Sequence, residues 1–375
     1  MSRVATIGTF DGIHRGHCMV IDMVKHIANQ QDMSPCVFVF ANHPLEIIAP
    51  ERVPAKLMSF DSQLEMFMQL GVEAVPIHFN EEMRKMSAFQ YMEFIRNEYD
   101  VRMLVVGHDN RFGSNRNENI EQYKSYGQEL GIDVIAAPAL PNVSSTIIRN
   151  LISTGDIRHA NDKLGYFYTI EGIVEHGKHL GTTIGFPTAN LRLLDNLRLV
   201  PANGVYAAIV KMPDKKQYGA MVNIGHCPTV NSQCRSRTIE INIFNFSADI
   251  YGNKISLSFV DFMRKERKMN GIDDLRCQLS LDRENAKKIN NTQVKFEDIE
   301  YIKVEIINFA DCPSLISRYM LELRDVKIQQ DSMRFRRNLE RIGNMMAFEI
   351  SKRLNYETVK VQTPLGESTC HTFAD

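Results

Sequence analysis

The sequence predicts three consecutive parts: a doubly wound α/β domain with a parallel sheet, a small Greek-key β-barrel, and a partly helical C-terminal extension. The first rests on short continuous apolar runs at 4–7, 37–40, 72–77, 103–106 and 134–137, which alternate with helical segments near 61–70, 87–98 and 118–130. The second rests on a change of pattern after Tyr166, where short alternating strands at 168–175, 204–211, 218–224, 238–244 and 255–259 are separated by turn residues. The third begins beyond residue 291, with a strand expected at 301–308 and a helix over 331–354. The implied domain boundaries are 1–160, 161–290 and 291–375.

The opening strand runs into Gly8-Thr9-Phe10-Asp11-Gly12-Ile13-His14-Arg15-Gly16-His17, and Val20, Met23, Val24 and Ile27 then repeat at helical spacing. A turn that opens onto a helix N-terminus offers unpaired N–H groups and the positive end of a dipole, which together suit phosphate. Gly8, Gly12 and Gly16 are expected to allow close backbone approach, and His14 and His17 to donate to phosphate oxygens. A lone histidine here would read as a local cap; two histidines among three glycines favour a phosphate site.

Along the rest of this domain, Gly71 and Gly131 stand where helices should stop, and Ser87 is placed to cap a helix whose Phe89, Met92 and Ile95 face inward. Three loops after strands carry polar clusters: His43-Pro44, residues 107–113, and Ser144-Ser145-Thr146-Ile147-Ile148-Arg149. Each can be a capped loop, yet all three fall on the sheet edge where doubly wound folds bind ligands.

A short helix from Asp156 should end at Gly165, before the barrel. Within the barrel, the string from Gly177 through Gly181 and Gly185 to Pro187-Thr188-Ala189-Asn190 lacks the Gly-Lys-Ser/Thr ending of a Walker loop. Its glycines can place N–H groups around phosphates, while the Thr188 hydroxyl and Asn190 amide oxygen suit Mg²⁺. Over 238–244, period-2 alternation sets Ile239, Ile241 and Ile243 on one face and Glu240 with Asn242 on the other. Glu240 can be a solvated strand carboxylate or a base beside the phosphate site. An amphipathic helix over 272–288 is expected to cover the barrel.

Composition narrows the function class. With 44 Lys+Arg against 45 Asp+Glu in 375 residues, the balance gives no support for bulk attraction to nucleic acid or membrane. The seven cysteines form no CxxC pair and no zinc-like spacing, which reads as reduced thiols in a cytoplasmic protein. No run is long enough for a signal peptide or a membrane span. The oligomeric state is left open.

The opening turn resembles the HxGH signature of the nucleotidylyltransferase superfamily, in the form found in the bacterial bifunctional riboflavin kinase/FAD synthetase family. Ser144-Ser145-Thr146-x-x-Arg149 resembles that superfamily's second signature, which implies that the hydroxyls and Arg149 hold ATP phosphates, the arginine by bidentate charge-assisted bonds to the leaving pyrophosphate. Gly107, Asp109, Arg111 and Phe112 match the family's G-x-D-x-R-F-G segment, and His43-Pro44 is similar to its P-H-P-like segment. The resemblance implies that these residues shape the flavin and nucleotide pocket. Gly185, Pro187, Thr188, Ala189 and Asn190 match the riboflavin kinase G-x-P-T-A-N signature, which implies that Thr188 and Asn190 hold Mg²⁺–ATP. Asn223-Ile224-Gly225 with Pro228-Thr229 is similar to the next family segment. By the same resemblance, Glu240 is the catalytic base and Arg264 approaches the flavin side.

The likeness spans about residues 1–290, with departures at Thr9, Asn110, Ile147 and Asn242. It implies phosphorylation of riboflavin to FMN and adenylylation of FMN to FAD, with ATP as co-substrate, Mg²⁺ as cofactor, and no nucleic-acid or membrane partner. The rival readings are a nucleotidylyltransferase with another acceptor and a flavin- or nucleotide-binding regulatory protein.

In the extension, Phe335, Leu339, Ile342, Met346 and Ile350 form an apolar face on a helix capped by Asp331, opposite Arg334, Arg337 and Arg341. Arg324-Asp325, Phe335-Arg336-Arg337, Gly343, Met346-Ala347, Glu349 and Thr363-Pro364-Leu365-Gly366 resemble the N-terminal part of uracil phosphoribosyltransferases. The chain ends before any acidic pair and glycine/threonine loop for phosphoribosyl pyrophosphate, so no such activity is expected. The segment reads equally as a fused fragment or as an appendage whose apolar face serves oligomerisation or a partner.

Overall fold

The structure, a computed structural model, describes residues 1–108, 110–115, 117–176, 185–226, 237–267, 269–293, 314–352, 354, 356–363 and 366–373. The chain divides into two compact units, Met1–Val304 and Glu305–Asp375.

The first unit begins with β1 (Arg3–Gly8), α1 (Arg15–Gln30), β2 (Ser34–Phe40), the single-turn α2 (Leu45–Ile48), α3 (Phe60–Gln69), β3 (Glu73–Ile77), α4 (Glu81–Lys85), α5 (Ala88–Tyr99), β4 (Val101–Val106), α6 (Ile120–Leu130), β5 (Asp133–Ala136), α7 (Ser145–Thr154) and α8 (Ile157–Leu164). The five strands form a parallel sheet in the order β3-β2-β1-β4-β5. β1 reads as a continuous apolar run because both of its faces are covered: Val4 packs with Val20 and Val24, while Ala5 and Ile7 pack with Phe38 and Leu104. The strand order reverses beside β1, so the ligand-binding crevice of such a sheet opens where β1 and β4 end.

The expected caps form. Ser87 and Gln90 make a reciprocal capping box, and Gly131 ends α6 in the left-handed conformation. The inward stripe of α5 is Ala88, Tyr91, Met92 and Ile95; Phe89, expected to face inward, is only half-buried, edge-on to Tyr126.

The chain continues through β6 (Thr169–Glu175), β7 (Ala189–Leu193), β8 (Gly204–Lys211), β9 (Gln217–His226), β10 (Arg237–Ile243) and β11 (Lys254–Arg264), which close into an antiparallel barrel in the order β10-β7-β6-β11-β8-β9. β7 is a strand beyond the five that the alternation predicts. The barrel core, with Tyr168, Val222, Ile241 and Phe259, is continuous with Ile148 and Ile152 of α7 and with Ile157 and Leu164 of α8. Helix α9 (Ile272–Gln293) covers the outside of the barrel, burying Ala286 against Ala207 and Met221, while Asn290 donates to the Ala208 carbonyl at 3.1 Å. Asn242, on the face opposite Ile239 and Ile241, is 2 % exposed, because α9 and Phe186 cover that part of the barrel wall.

The second unit contains α10 (Leu315–Arg324), α11 (Ser332–Ser351) and a hairpin of β12 (Tyr356–Thr363) and β13 (Gly366–Phe373) that the sequence reading did not anticipate. Asp331 caps α11 as expected. Of the five apolar residues on its stripe only Ile342 is buried, and Arg334, Arg337 and Arg341 are exposed. The strand expected at 301–308 lies outside the described residues. Among the described residues no helix is long and apolar enough to cross a membrane.

Candidate active sites

The turn after β1 is built from left-handed backbone. Phe10 has φ 46°, Gly12 φ 80° and Ile13 φ 28°, conformations that side-chain-bearing residues adopt only when their surroundings hold them. His14 then caps α1, its Nδ1 accepting from the His17 N–H at 3.3 Å, so the neutral ring carries its proton on Nε2. The two imidazoles stack with centroids 3.6 Å apart, and the Phe10 ring meets His17 edge-on at 5.1 Å. Burial, reinforced by His14, holds the His17 pKa well below the ordinary histidine value.

The glycines divide their work differently from the expectation of phosphate contact. A Cβ on Gly12 would stand 2.9 Å from Leu57 Cδ1, so this residue faces packed side chains. A Cβ on Gly16 would stand 3.2 Å from His14 Cε1, so the absence of a side chain there makes room for the stacked histidine.

A cavity of about 590 Å³ opens at this turn. It brings together Gly8, Thr9, Phe10, His14 and His17 with His43 and Pro44, with Gly107 and Arg111, and with Ser144, Ser145 and Thr146. The N-termini of α1 and α7 therefore meet one space, and neither helix has an acidic residue in its first turn. Among the described lining residues there are four histidines and one arginine, and no carboxylate. Helix N-termini facing a space without carboxylates suit a polyphosphate.

Other expected site residues stand behind the wall. Asp11 accepts from the Leu57 N–H at 2.9 Å and the Met58 N–H at 3.2 Å, and Arg149 Nη2 reaches its Oδ2 at 2.6 Å. Arg149 Nε donates to the Ala55 carbonyl, so this guanidinium, expected on the pyrophosphate, here braces Asp11 and the 55–58 strap. Ser144 Oγ caps α7, and Ser145 Oγ donates to the Asp11 carbonyl. His43 Nδ1 accepts from the Leu45 N–H, and burial followed by the Arg149 charge lowers its pKa. Asn110, where an aromatic residue is usual in the resembled family, donates instead to the Ile7 carbonyl at the end of β1. Asp109 lies outside the described residues.

In the barrel, the pairing register assembles a polar row. Glu240 on β10 stands directly across from Asn190 on β7 and from Asn223 on β9, and Asn190 in turn pairs with Glu175 on β6. Directly paired residues share a face, so the carboxylate and the two amides lie side by side. Asn242 Nδ2 donates to the Pro187 carbonyl at 2.7 Å, tying the segment that carries Thr188 to β10. Arg283 lies 4.1 Å above the Phe186 ring on the same segment, and Gly185 takes φ 82° just before it. Gly177, Gly181, Pro228 and Thr229 lie outside the described residues.

Two family models match the chain in tandem: FAD synthetase over residues 1–150 and riboflavin kinase over residues 164–290. A bifunctional riboflavin kinase/FMN adenylyltransferase from Haemophilus influenzae is 32% identical over 293 residues, covering 76% of this chain and 94% of the relative. The chain belongs to the bifunctional riboflavin kinase/FMN adenylyltransferase family. The similarly named protein of Bacillus subtilis is also 32% identical, over 76% of this chain and 91% of the relative. A solved structure from Streptococcus pneumoniae, described as a macrolide-efflux protein, has a TM-score of 0.70 and 29% identity, covering 76% of this chain and 94% of that one.

In this riboflavin kinase/FMN adenylyltransferase, Arg264 is committed to α9: Nε lies 3.0 Å and Nη2 2.6 Å from the carboxylate of Asp282, which is 2 % exposed. Phe112 is largely buried, stacked on Tyr123 with centroids 4.3 Å apart. It reaches a second cavity of about 960 Å³, which shares Gly8, Thr9, Pro44, Asn110 and Arg111 with the first. Phe40, Ile48, Phe79 and Tyr91 give this space apolar walls, and Arg84 and Lys85 stand at it. The 79–86 contribution is absent from the sequence reading. Its signal is positional: the segment follows β3 and therefore lies on the same sheet edge as the three loops that were singled out.

Proposed function

We propose a division of labour between the two sites of this bifunctional enzyme, with residues 1–160 as the FMN adenylyltransferase domain and 161–290 as the riboflavin kinase domain. In the kinase, the riboflavin 5′-hydroxyl attacks the γ-phosphorus of ATP, and Glu240 accepts its proton as the new O–P bond forms and ADP leaves. Thr188 and Asn190 supply hard oxygen donors suited to Mg²⁺, which when bound neutralises phosphate charge. Asn242 and Asn223 orient the segment and the strand face around that carboxylate.

In the adenylyltransferase, an FMN phosphate oxygen attacks the α-phosphorus of ATP, and the α–β bridging bond breaks as pyrophosphate departs. His14 and His17 and the starts of α1 and α7 stabilise charge on the transferring and leaving groups, so no covalent enzyme intermediate is needed. Arg149 keeps Asp11 and the turn in place from behind. The 960 Å³ cavity beside the nucleotide space takes the flavin, its aromatic walls meeting the ring system and Arg84 or Lys85 its polar groups. We place the enzyme in the cytoplasm, where Cys18, Cys36, Cys277 and Cys370, all unpaired, stay reduced.

The observation that carries this reading is the convergence of two helix N-termini on a cavity without a carboxylate among its described lining residues, on the chain that also aligns Glu240 with Asn190. Incubation with riboflavin, ATP and Mg²⁺, followed by separation of the flavins, should yield FMN and then FAD. Absence of FMN would sink the kinase assignment; FMN that never becomes FAD would sink the adenylyltransferase one.

A further inference from the structure

Five consecutive carbonyls of the turn, from Thr9 to Ile13, are each met by a side chain. Gln63 Nε2 donates to Thr9 O at 2.9 Å and to Phe10 O at 2.8 Å. Ser145 Oγ donates to Asp11 O at 2.9 Å, the Tyr166 hydroxyl to Gly12 O at 2.5 Å, and Cys18 Sγ lies 3.5 Å from Ile13 O. The donors come from α3, α7, the entrance to the barrel and α1, so no local sequence rule produces the set. Gln63 is itself 6 % exposed, a buried amide whose two hydrogens are both used on this turn.

We propose that Gln63 and Tyr166 are positioning residues for adenylyl transfer, pinning the carbonyls of the left-handed 10–13 turn so that His14 and His17 are presented to the nucleotide. A peptide unit is planar, so fixing a carbonyl fixes the N–H on its other side. Pinning five successive carbonyls therefore fixes the path of the backbone into His14. Phe10 and Ile13 adopt positive φ without being glycine, and such backbone persists only where surrounding groups over-determine it. Burial raises the Tyr166 phenol well above its ordinary pKa, so it remains a donor throughout the assay range.

Tyr166 also gives the turn a contact from the barrel side. A parallel bridge between Lys56 and Arg198 provides a second, because the neighbouring Leu57 and Met58 N–H groups hold Asp11. Geometry at the adenylyl site is thus set partly by residues outside the two signature motifs. Loss of one such hydrogen bond is expected to reduce the adenylyl turnover number about tenfold, the effect of one net hydrogen bond on a barrier.

This inference rests on the proposed adenylyltransferase reading, and the full chain itself tests the two separately. Tyr166→Phe and Gln63→Met nearly keep size and remove the donors without adding a charge. For each variant, kcat and KM for FMN adenylylation, riboflavin phosphorylation on the same sample, and the thermal unfolding midpoint are measured. The expected result is an adenylylation kcat about tenfold lower for Tyr166→Phe and lower still for the Gln63 variant, which loses two bonds, with KM for ATP and the kinase rate unchanged. The double variant should lose less than the product of the two singles, because both act on one turn. An unchanged adenylylation kcat in a folded variant would overturn the proposal, as would a parallel loss of the kinase rate. Should one variant fail to fold, the other decides alone by the same split. Wild-type protein that makes no FAD from FMN overturns the function reading instead.

Discussion

The two candidate sites use backbone in opposite ways. The adenylyl site gathers its groups on a left-handed turn and two helix starts, with Phe10 and Ile13 held at positive φ by donors remote in sequence. The kinase row lies on regular paired strands, where register alone places Glu240 beside Asn190 and Asn223. The chemistry explains the difference. Displacement at the α-phosphorus by an FMN phosphate, which has no proton to lose, calls for concentrated positive potential; unpaired N–H groups at helix starts provide it. Transfer to a hydroxyl requires removal of a proton, which a carboxylate on a rigid strand can accept.

The largest effect that tests this contrast belongs to the kinase. Glu240→Gln keeps shape and removes the proposed base, so FMN formation should fall by about 10²–10⁴-fold while FAD formation from supplied FMN is unchanged. Separate rate measurements on one preparation check it, and a parallel loss of both reactions would break the division. Next is His17→Ala, which removes one stabilising group at the cavity. FAD formation should fall by roughly 10²–10³-fold, with phosphorylation of riboflavin intact; equal loss of the two rates in folded protein would count against the assignment.

These two residues stand out in the sequence for different physical reasons. His17 lies in a local string, strand-turn-helix, whose chemistry is readable from residues adjacent in sequence. Glu240 was placed by period-2 alternation, but its partner row was not legible: β7 is five residues long with only Leu191 and Leu193 as apolar markers, and Asn190 read as part of a glycine-rich loop. The helix over 272–288 was expected to cover the barrel, and α9 does; which strand face it covers leaves no mark on β10, where Asn242 is buried. Gln63 was unreadable in principle, because its hydrogen bonds span more than fifty residues in sequence and a helix glutamine is ordinarily solvated. The central strands β1, β2 and β4 were legible because coverage on both faces makes each a short apolar run, whereas the edge strands β3 and β5 are only partly buried.

A smaller effect should follow from the backbone of the turn. Gly12→Ala adds a methyl group at φ 80° and 2.9 Å from Leu57 Cδ1. The strain costs about 1–3 kcal/mol, read as a lower denaturation midpoint, and adenylylation should suffer more than phosphorylation because the strain is local to one site. By contrast, Gly185→Ala, also at positive φ but with nothing within 4 Å of the added carbon, should cost only the backbone term. Equal losses of stability would show that packing against Leu57 contributes nothing.

The smallest expected effect is on pH dependence. His17 is held below the ordinary histidine pKa of 6.5 by burial and then by His14, and His43 by burial and then by Arg149. Below pH 6.5 the unfolded chain therefore binds more protons at these positions than the folded one, so their contribution to stability is present above that pH and is lost as pH falls toward the folded values. Bound polyphosphate reverses the electrostatic balance by favouring the charged rings, so ATP should flatten the acid side of the profile and be accompanied by proton uptake near pH 6. Denaturant titrations across about pH 5.5–7.5, with and without ATP, together with calorimetry in buffers of different ionisation enthalpy, measure both. A His17→Ala protein that still takes up the full proton complement with ATP would show that the stacked histidines are not its source.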